Sequence, residues 1–190
     1  RSSSSAASDV YKRQDKANLK ILYMEIAHDL DQHDEVVRVA RELVNDRTFD
    51  SASMFLPHFF LGTSSLVLVS GSRNPEDYQE PIRHLIMAAD RMTDDMRSNS
   101  TFYTVTHAYL GQAYFELGQV YSVGGDIQQA RREYQNAFNR MEMVIQYHDL
   151  SINDFIPRDL TQDALYLQIG HVLAQFLSLI HISEPTRLSL

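Results

Sequence analysis

Residues 114–138 read YFELGQVYSVGGDIQQARREYQNAF, and this stretch decides the fold. Tyr114, Leu117, Gly118 and Tyr121 recur at spacings of three and four residues, so they share one face of a helix. A Gly inside a helix costs roughly 1 kcal/mol relative to Ala. Gly118 therefore needs a structural reason, and we expect a second helix to pack closely against it.

A turn and a second helix follow. Gly124 and Gly125 accept positive φ angles and favour the end of the first helix. Asp126 can cap the next helix, with Gln129 as its capping-box partner. The facing stripe of the second helix is small, large and small: Ala130, Tyr134 and Ala137. The stretch therefore predicts two antiparallel helices packed face to face.

This arrangement resembles a tetratricopeptide repeat (TPR) unit, which places an aromatic residue, Leu-Gly, Tyr, a turn Gly, Ala, an aromatic residue and Ala at these relative positions. The alternative is any helical hairpin with a seam of small residues. The resemblance implies an all-α fold in which antiparallel helical hairpins stack as a TPR-like α-solenoid. It also implies a binding scaffold with no catalytic function.

The amphipathic pattern extends this prediction along the chain. Helices are predicted over residues 17–31, from a cap at Asp34 to a break near Asn45-Asp46, over 53–69, from Asn74-Pro75 through Met92, from a cap at Asn99–Thr101 to about Val123, over 127–147, and from Asp159 onward. The run Leu66–Val69 could be a buried strand, but no partner strand alternates nearby, so we interpret it as helix.

Weaker copies of the first-helix pattern occur at Tyr23–Leu30, around Leu61-Gly62 and at Tyr166–Leu173. Gly62 follows Ala27 by close to one TPR period of ~34 residues. Gly118 follows Gly62 by much more than one period, so we expect some elongated helices rather than a regular tandem array.

The two ends of the chain are related to each other in an unusual way. Residues 9–14 can be encoded by GATGTGTATAAGAGACAG, and the reverse complement of that DNA encodes residues 177–182. Both ends resemble translated transposase adapters from sequencing libraries. We therefore expect residues 1–14 and 177–190 to be adapter-derived and leave them out of the fold argument. Residues 15–176 are then a TPR-like helical repeat domain, a fragment whose last repeat is truncated.

Composition narrows the classes of function. The formal net charge is −8, and it stays acidic without the two ends. A nucleic-acid partner would need a basic stripe, so we expect none. No apolar run is long enough to span a bilayer. The chain has no Cys, which excludes disulfides, zinc-thiolate sites and Cys nucleophiles from this segment.

The densest group of potential metal ligands lies between His28 and Glu35. His28 and His33 cross a predicted turn and lack the spacing of a helical zinc motif, so we interpret the group as a solvated turn with caps. Asp90, Asp94 and Asp95 are interpreted as a charged helix end. No phosphate-binding loop or nucleophile motif is present, so we expect no enzyme, cofactor or metal site.

The resemblance also selects candidate residues for partner binding. In TPR-like units, the residues one and five positions after the first aromatic position point into the concave groove. These are Met24 and His28, Phe59 and Thr63, Phe115 and Gln119, and Leu167 and His171. The Lys and Asn of a carboxylate clamp are missing there, so we expect no clamp. The alternative is that the apolar members are core residues between helices.

Two functions remain open at this point. The first is a non-catalytic scaffold that binds a protein or peptide partner along its concave face. The alternative is an accessory or regulatory helical domain of a larger enzyme or signalling protein, with the chemistry outside this fragment.

Overall fold

The computed structural model describes residues 2–46, 54–98 and 100–146, with side chains from 15–46, 54–97 and 102–144. The described chain is helical and contains no strand, so the all-α prediction is confirmed for these ranges. Its helices are α1 (Ser2–Asp29), α2 (His33–Val44), α3 (Phe55–Val69), α4 (Gln79–Asp90), α5 (Asp94–Ser98), α6 (Ser100–Val123) and α7 (Ile127–Gln146). The predicted helix from Asp159 and the loop before it lie outside the described residues.

The first helix is longer than the sequence pattern predicts. It begins at Ser2 and ends at Asp29, whereas the apolar spacing predicts residues 17–31. Residues 2–14, which we interpreted as adapter-derived, form its first part, and their side chains are outside the description. The helical backbone at these positions does not bear on where the segment comes from.

The α6–α7 pair is held by close contacts at glycine. A Cβ atom added to Gly118 would lie 2.8 Å from Cδ1 and Cε1 of Tyr134, and one added to Gly111 would lie 2.6 Å from Cε of Met141. Moving back along α6 therefore moves the contact forward along α7, so the two helices run antiparallel. The predicted close approach at Gly118 is confirmed.

The turn between α6 and α7 also has the predicted form. Gly125 has φ +83°, and the N–H groups of Gly125 and Asp126 donate to the carbonyls of Ser122 and Tyr121. This pair of bonds closes the end of α6 as a Schellman motif, which needs a left-handed residue. The Asp126 carboxylate then accepts a hydrogen bond from the Gln129 N–H at 3.1 Å. Asp126 is the helix cap that the sequence predicts.

The turn between α1 and α2 corrects one prediction. Asp34 is not the cap of α2, which begins at His33 after Gln32. Asp31 has φ +56°, and the N–H groups of Asp31 and Gln32 donate to the carbonyls of His28 and Ala27. This is the same two-bond motif as at Gly125, closed by an Asp instead of a Gly. Because the chain reverses so tightly, Asp34 falls inside the first turn of α2.

The α3–α4 region combines a confirmed and a corrected prediction. The 66–69 run is helical, and the Asn74 side chain accepts a hydrogen bond from the Glu76 N–H at 3.3 Å, as a cap. The helix after Pro75 begins as a 3-10 turn, Pro75–Tyr78, before α4 starts, and it ends before Met92. Pro75 supplies no N–H for a helical bond and fits the first position of such a turn.

The charged segment after α4 occupies two helix ends. Asp90 is the last residue of α4, and Asp94 and Asp95 begin the short helix α5. The hydroxyl of Thr93 accepts a hydrogen bond from the Met96 N–H at 3.3 Å and so caps α5. The predicted cap for α6 at Asn99–Thr101 cannot be compared, since residue 99 and the side chains around it are outside the description.

The core lies where α3, α4 and α6 meet. Phe55 packs on Phe59 with ring centroids 5.7 Å apart, and both rings contact aromatic side chains of α6, Phe102 and Tyr109. Gly62 lets α4 come close, because a Cβ there would lie 2.6 Å from Cγ of Leu85. None of the described helices has the length and apolar character needed to cross a bilayer.

Candidate partner-binding site

Three of the sequence-selected groove residues lie inside the protein. Met24 and Thr63 have no exposed surface, and Phe59 is buried. The Thr63 hydroxyl donates to the carbonyls of Phe59 and Phe60 on its own helix. Burial favours the core alternative for the two apolar residues, Met24 and Phe59, and the polar Thr63 is buried as well.

The other selected residues have different surroundings. His28 is half-buried with its ring 5.3 Å from Phe60, and Phe115 is half-buried with its ring 5.6 Å from Tyr134. Gln119 is exposed. Leu167 and His171 lie outside the described residues. Partner contact at His28, Phe115 and Gln119 stays a prediction.

A surface cavity that the sequence pattern did not select lies beside the α1–α2 turn. It has a volume of about 470 Å³ and is open to solvent. It is lined by Tyr23, Asp31, Gln32, His33, Asp34, Glu35 and Leu68, and we call it the α1–α2 groove. Three elements form it: the end of α1, the start of α2 and the end of α3. The left-handed backbone at Asp31 is what brings the first two elements together.

One wall of the groove is fixed by a charged network. The Tyr23 hydroxyl donates to Oε1 of Glu35 at 2.9 Å, and Nε of Arg38 donates to Oε2 at 2.8 Å. The hydrogen bonds from Arg38 and then from Tyr23 lower the pKa of Glu35 to about 2. Glu35 therefore stays ionised, and it holds the Tyr23 ring against the groove.

His33 ties the turn to the neighbouring helix. Its Nδ1 lies 3.3 Å from the Ser64 hydroxyl on α3, and its Nε2 lies 3.9 Å from Oδ1 of Asp31. Its ring meets that of His28 edge to face, with centroids 5.5 Å apart. These contacts place the imidazole on the floor of the groove with its position set from both sides.

The rim of the groove is acidic and one wall is apolar. The Asp31 side chain is 94% exposed, and Asp34 is also exposed. Leu68 at the end of α3 is 47% exposed and lines the groove together with the Tyr23 ring. The arrangement can hold an apolar side chain next to a cation, since the carboxylates of Asp31 and Asp34 are exposed at the rim.

The groove contains His and Asp side chains, which raises the question of a metal. Within the ranges that the structure describes, no group of three or more His, Cys, Asp and Glu side chains is arranged to hold a metal ion. His33 and Asp31 alone give two potential ligands. The polar side chains that line the groove can offer hydrogen bonds and charge to a ligand.

The interior holds a histidine pair that the sequence analysis missed. Nδ1 of His58 on α3 lies 2.9 Å from Nδ1 of His84 on α4, and both side chains are buried. Burial lowers the pKa of each to about 4, and the nearby arginines Arg91 and Arg83 act in the same direction. Both rings are therefore neutral near pH 7, and one donates to the other across the helix interface.

The missed residues share one physical reason. His58 and His84 meet only because α3 and α4 are rotated in a particular way. Tyr23 and Leu68 line one groove only because α1 and α3 come together there. Helical spacing within one segment carries no signal of either contact. The one local clue was the run of polar residues at the turn, which we had interpreted as solvated.

Comparison with known proteins adds no further assignment. No protein-family model matches the chain, and no curated protein is significantly similar to it.

Proposed function

We propose that the chain is a non-catalytic helical scaffold of TPR-like type that binds a protein or peptide segment. Its architecture would be helical hairpins, α1–α2, α3–α4 and α6–α7, stacked as a solenoid with α6 as an elongated member. Small residues at matching positions support this arrangement: Gly62 and Gly118 each admit a large side chain of the following helix. The two Schellman turns at Asp31 and Gly125 support it as well.

The single observation that carries the binding function is the α1–α2 groove. It combines an apolar wall, Tyr23 and Leu68, with an acidic rim at Asp31 and Asp34. Binding sites commonly use apolar contact for affinity and a few polar groups for orientation. The groove is open to solvent, which suits a side chain presented by an extended segment. We infer a ligand segment that carries an apolar residue next to Lys or Arg.

Peptide display on the folded protein tests this proposal. We expect selected peptides to be enriched in an aliphatic or aromatic residue beside a basic one. Binding of a selected peptide should weaken roughly tenfold, about 1.4 kcal/mol, in Asp34→Asn and in Leu68→Ala. The matched controls are Asp95→Asn, another exposed Asp in the first turn of a helix, and Val123→Ala, an exposed apolar residue on α6.

The outcome that contradicts the proposal is equally specific. Selected peptides without a basic residue, or peptides whose affinity is the same for the groove variants and their controls, would place the binding surface elsewhere. The melting temperatures of all four variants should stay close to that of the wild type, because the altered side chains are exposed or partly exposed.

A further inference from the structure

A second surface, which shares Tyr23 with the wall of the α1–α2 groove, runs along α1. Five large apolar side chains on this helix are exposed: Leu19 by 67%, Leu22 by 52%, Tyr23 by 45%, Ile26 by 51% and Leu30 by 62%. Their spacing of three and four residues places them on one face of the helix. A contiguous apolar patch of this kind on a soluble protein marks an interaction surface. We call these five residues the α1 stripe.

Positions on α3 and α6 that correspond to the α1 stripe are buried by neighbouring helices. Aligning the small residues Ala27, Gly62 and Gly118 places Ile26 of the α1 stripe with Leu61 and Leu117. Ile26 is half exposed, whereas Leu61 is fully buried and Leu117 is 3% exposed.

Two further positions in this alignment are buried, one on α6 and one on α3. Leu19 aligns with Leu110, which is fully buried, and Leu30 aligns with Ser65, which is 4% exposed. α3 packs on α2 as well as on α4, and α6 packs on α4 as well as on α7. Each of these two helices therefore has a neighbour from the pair before it. Among the described residues, α1 packs chiefly on α2 and α3. The α1 stripe thus has the residue pattern of a helix-covered face, and none of the helices in the described ranges covers it.

The charged residues beside the α1 stripe indicate which kind of binding partner it fits. Glu25 and Asp29 lie along one edge of it by helical register, and no described cation is within ion-pair distance of either carboxylate. Lys20 on the opposite edge is already held by Glu42 at 2.7 Å. Helices that lie on anionic lipid surfaces carry Lys and Arg on their polar face, which is the opposite charge. The acidic edge is complementary in charge to a partner that carries Lys or Arg.

A second copy of this chain fits less well. Glu25 lies at the edge of the α1 stripe but about midway along its length. An antiparallel pairing of two α1 helices therefore brings the two Glu25 side chains near each other. Like charges at such a contact are unfavourable. The acidic edge is better matched by a different helix.

We propose that the α1 stripe docks an amphipathic α-helix of a partner protein, with an aliphatic face against Leu19–Leu30 and Lys or Arg beside Glu25 and Asp29. Grooves and faces that accept amphipathic helices are a recurrent mode of recognition. This inference goes beyond the proposed function, because it concerns a surface that can bind even if the α1–α2 groove does not.

The probe is a fluorescent 18-residue synthetic peptide with a Leu stripe flanked by Lys, and a second peptide with the same stripe flanked by Glu. Fluorescence anisotropy with the full chain measures both affinities. We expect the Lys-flanked peptide to bind at least tenfold more tightly than the Glu-flanked one. Ile26→Asp should weaken its binding at least tenfold, whereas Val123→Asp, at another exposed β-branched residue, should leave it unchanged.

Several outcomes overturn the proposal. Equal affinity for the two peptides, equal loss in Ile26→Asp and Val123→Asp, or no binding would each do so. A dimer in sedimentation that dissociates in Ile26→Asp would assign the stripe to a second copy instead. The groove variants Asp34→Asn and Leu68→Ala should bind the Lys-flanked peptide like the wild type, which separates this result from failure of the proposed function.

Discussion

The α6–α7 pair and the α1–α2 pair have the same type of turn, but the surroundings of their first helices differ. Both turns close with the same two backbone bonds, around Gly125 in one and Asp31 in the other. On α6, Leu117 is buried beneath other helices, whereas its counterpart Ile26 on α1 is half exposed. The difference shows that local spacing specifies the pair, and that neighbouring elements decide which apolar face is buried.

The largest expected effect concerns the close contact in the covered pair. Gly118→Leu should destabilise the protein by about 1–3 kcal/mol through overpacking, since even a Cβ there lies 2.8 Å from the ring of Tyr134. Gly118→Ala should cost less, because the gain in helix propensity of roughly 1 kcal/mol offsets part of the crowding. Chemical denaturation measures both. Equal tolerance of the two substitutions would show that α7 does not cross α6 at this position.

We expect opposite changes in stability when Gly is removed from one turn and introduced into the other. Gly125→Ala should destabilise by roughly 1 kcal/mol, because L-residues are disfavoured at positive φ, and nothing else within 4 Å opposes the new methyl group. Asp31→Gly should stabilise by up to ~1 kcal/mol for the same reason. Unfolding in urea at constant pH compares the two. A loss of stability in Asp31→Gly would mean that the Asp31 side chain stabilises its turn more than its backbone strain costs.

A smaller effect is expected from pH. Burial, and next the Arg140 guanidinium, lower the pKa of His107 on α6 to about 4. The unfolded chain, with its His pKa near 6.5, therefore binds more protons than the folded chain between pH 6.5 and 4. The free energy of unfolding should fall as the pH drops through this window. His107→Gln should make the melting temperature less dependent on pH, while His58 and His84, whose pKa values are also lowered, keep their own contributions. Parallel curves for the variant and the wild type would contradict the prediction.

The parts of the fold that the sequence predicts are those set within one helix pair. Spacing predicts the contact face of α6, the close approach at Gly118 and the cap at Asp126, because each depends on residues near in sequence. The left-handed conformation of Asp31 was not predicted, since Gly or Asn is more common at the left-handed position that ends a helix. The His58–His84 contact and the α1–α2 groove depend on how separate helices are rotated. Met24, Phe59 and Thr63 were selected by position in a repeat, which does not reveal burial.

Amide hydrogen exchange tests most directly whether the apolar face of α1 is exposed where the matching faces of α3 and α6 are covered by other helices. In the free protein, amides of residues 19–30 in α1 should exchange faster than those of residues 110–121 in α6, because local opening exposes less new apolar surface where one face is already in water. Adding the Lys-flanked peptide should slow exchange in residues 19–30 and leave residues 110–121 unchanged. Equal protection of the two helices in the free protein, or a peptide that slows both or neither, would contradict the account.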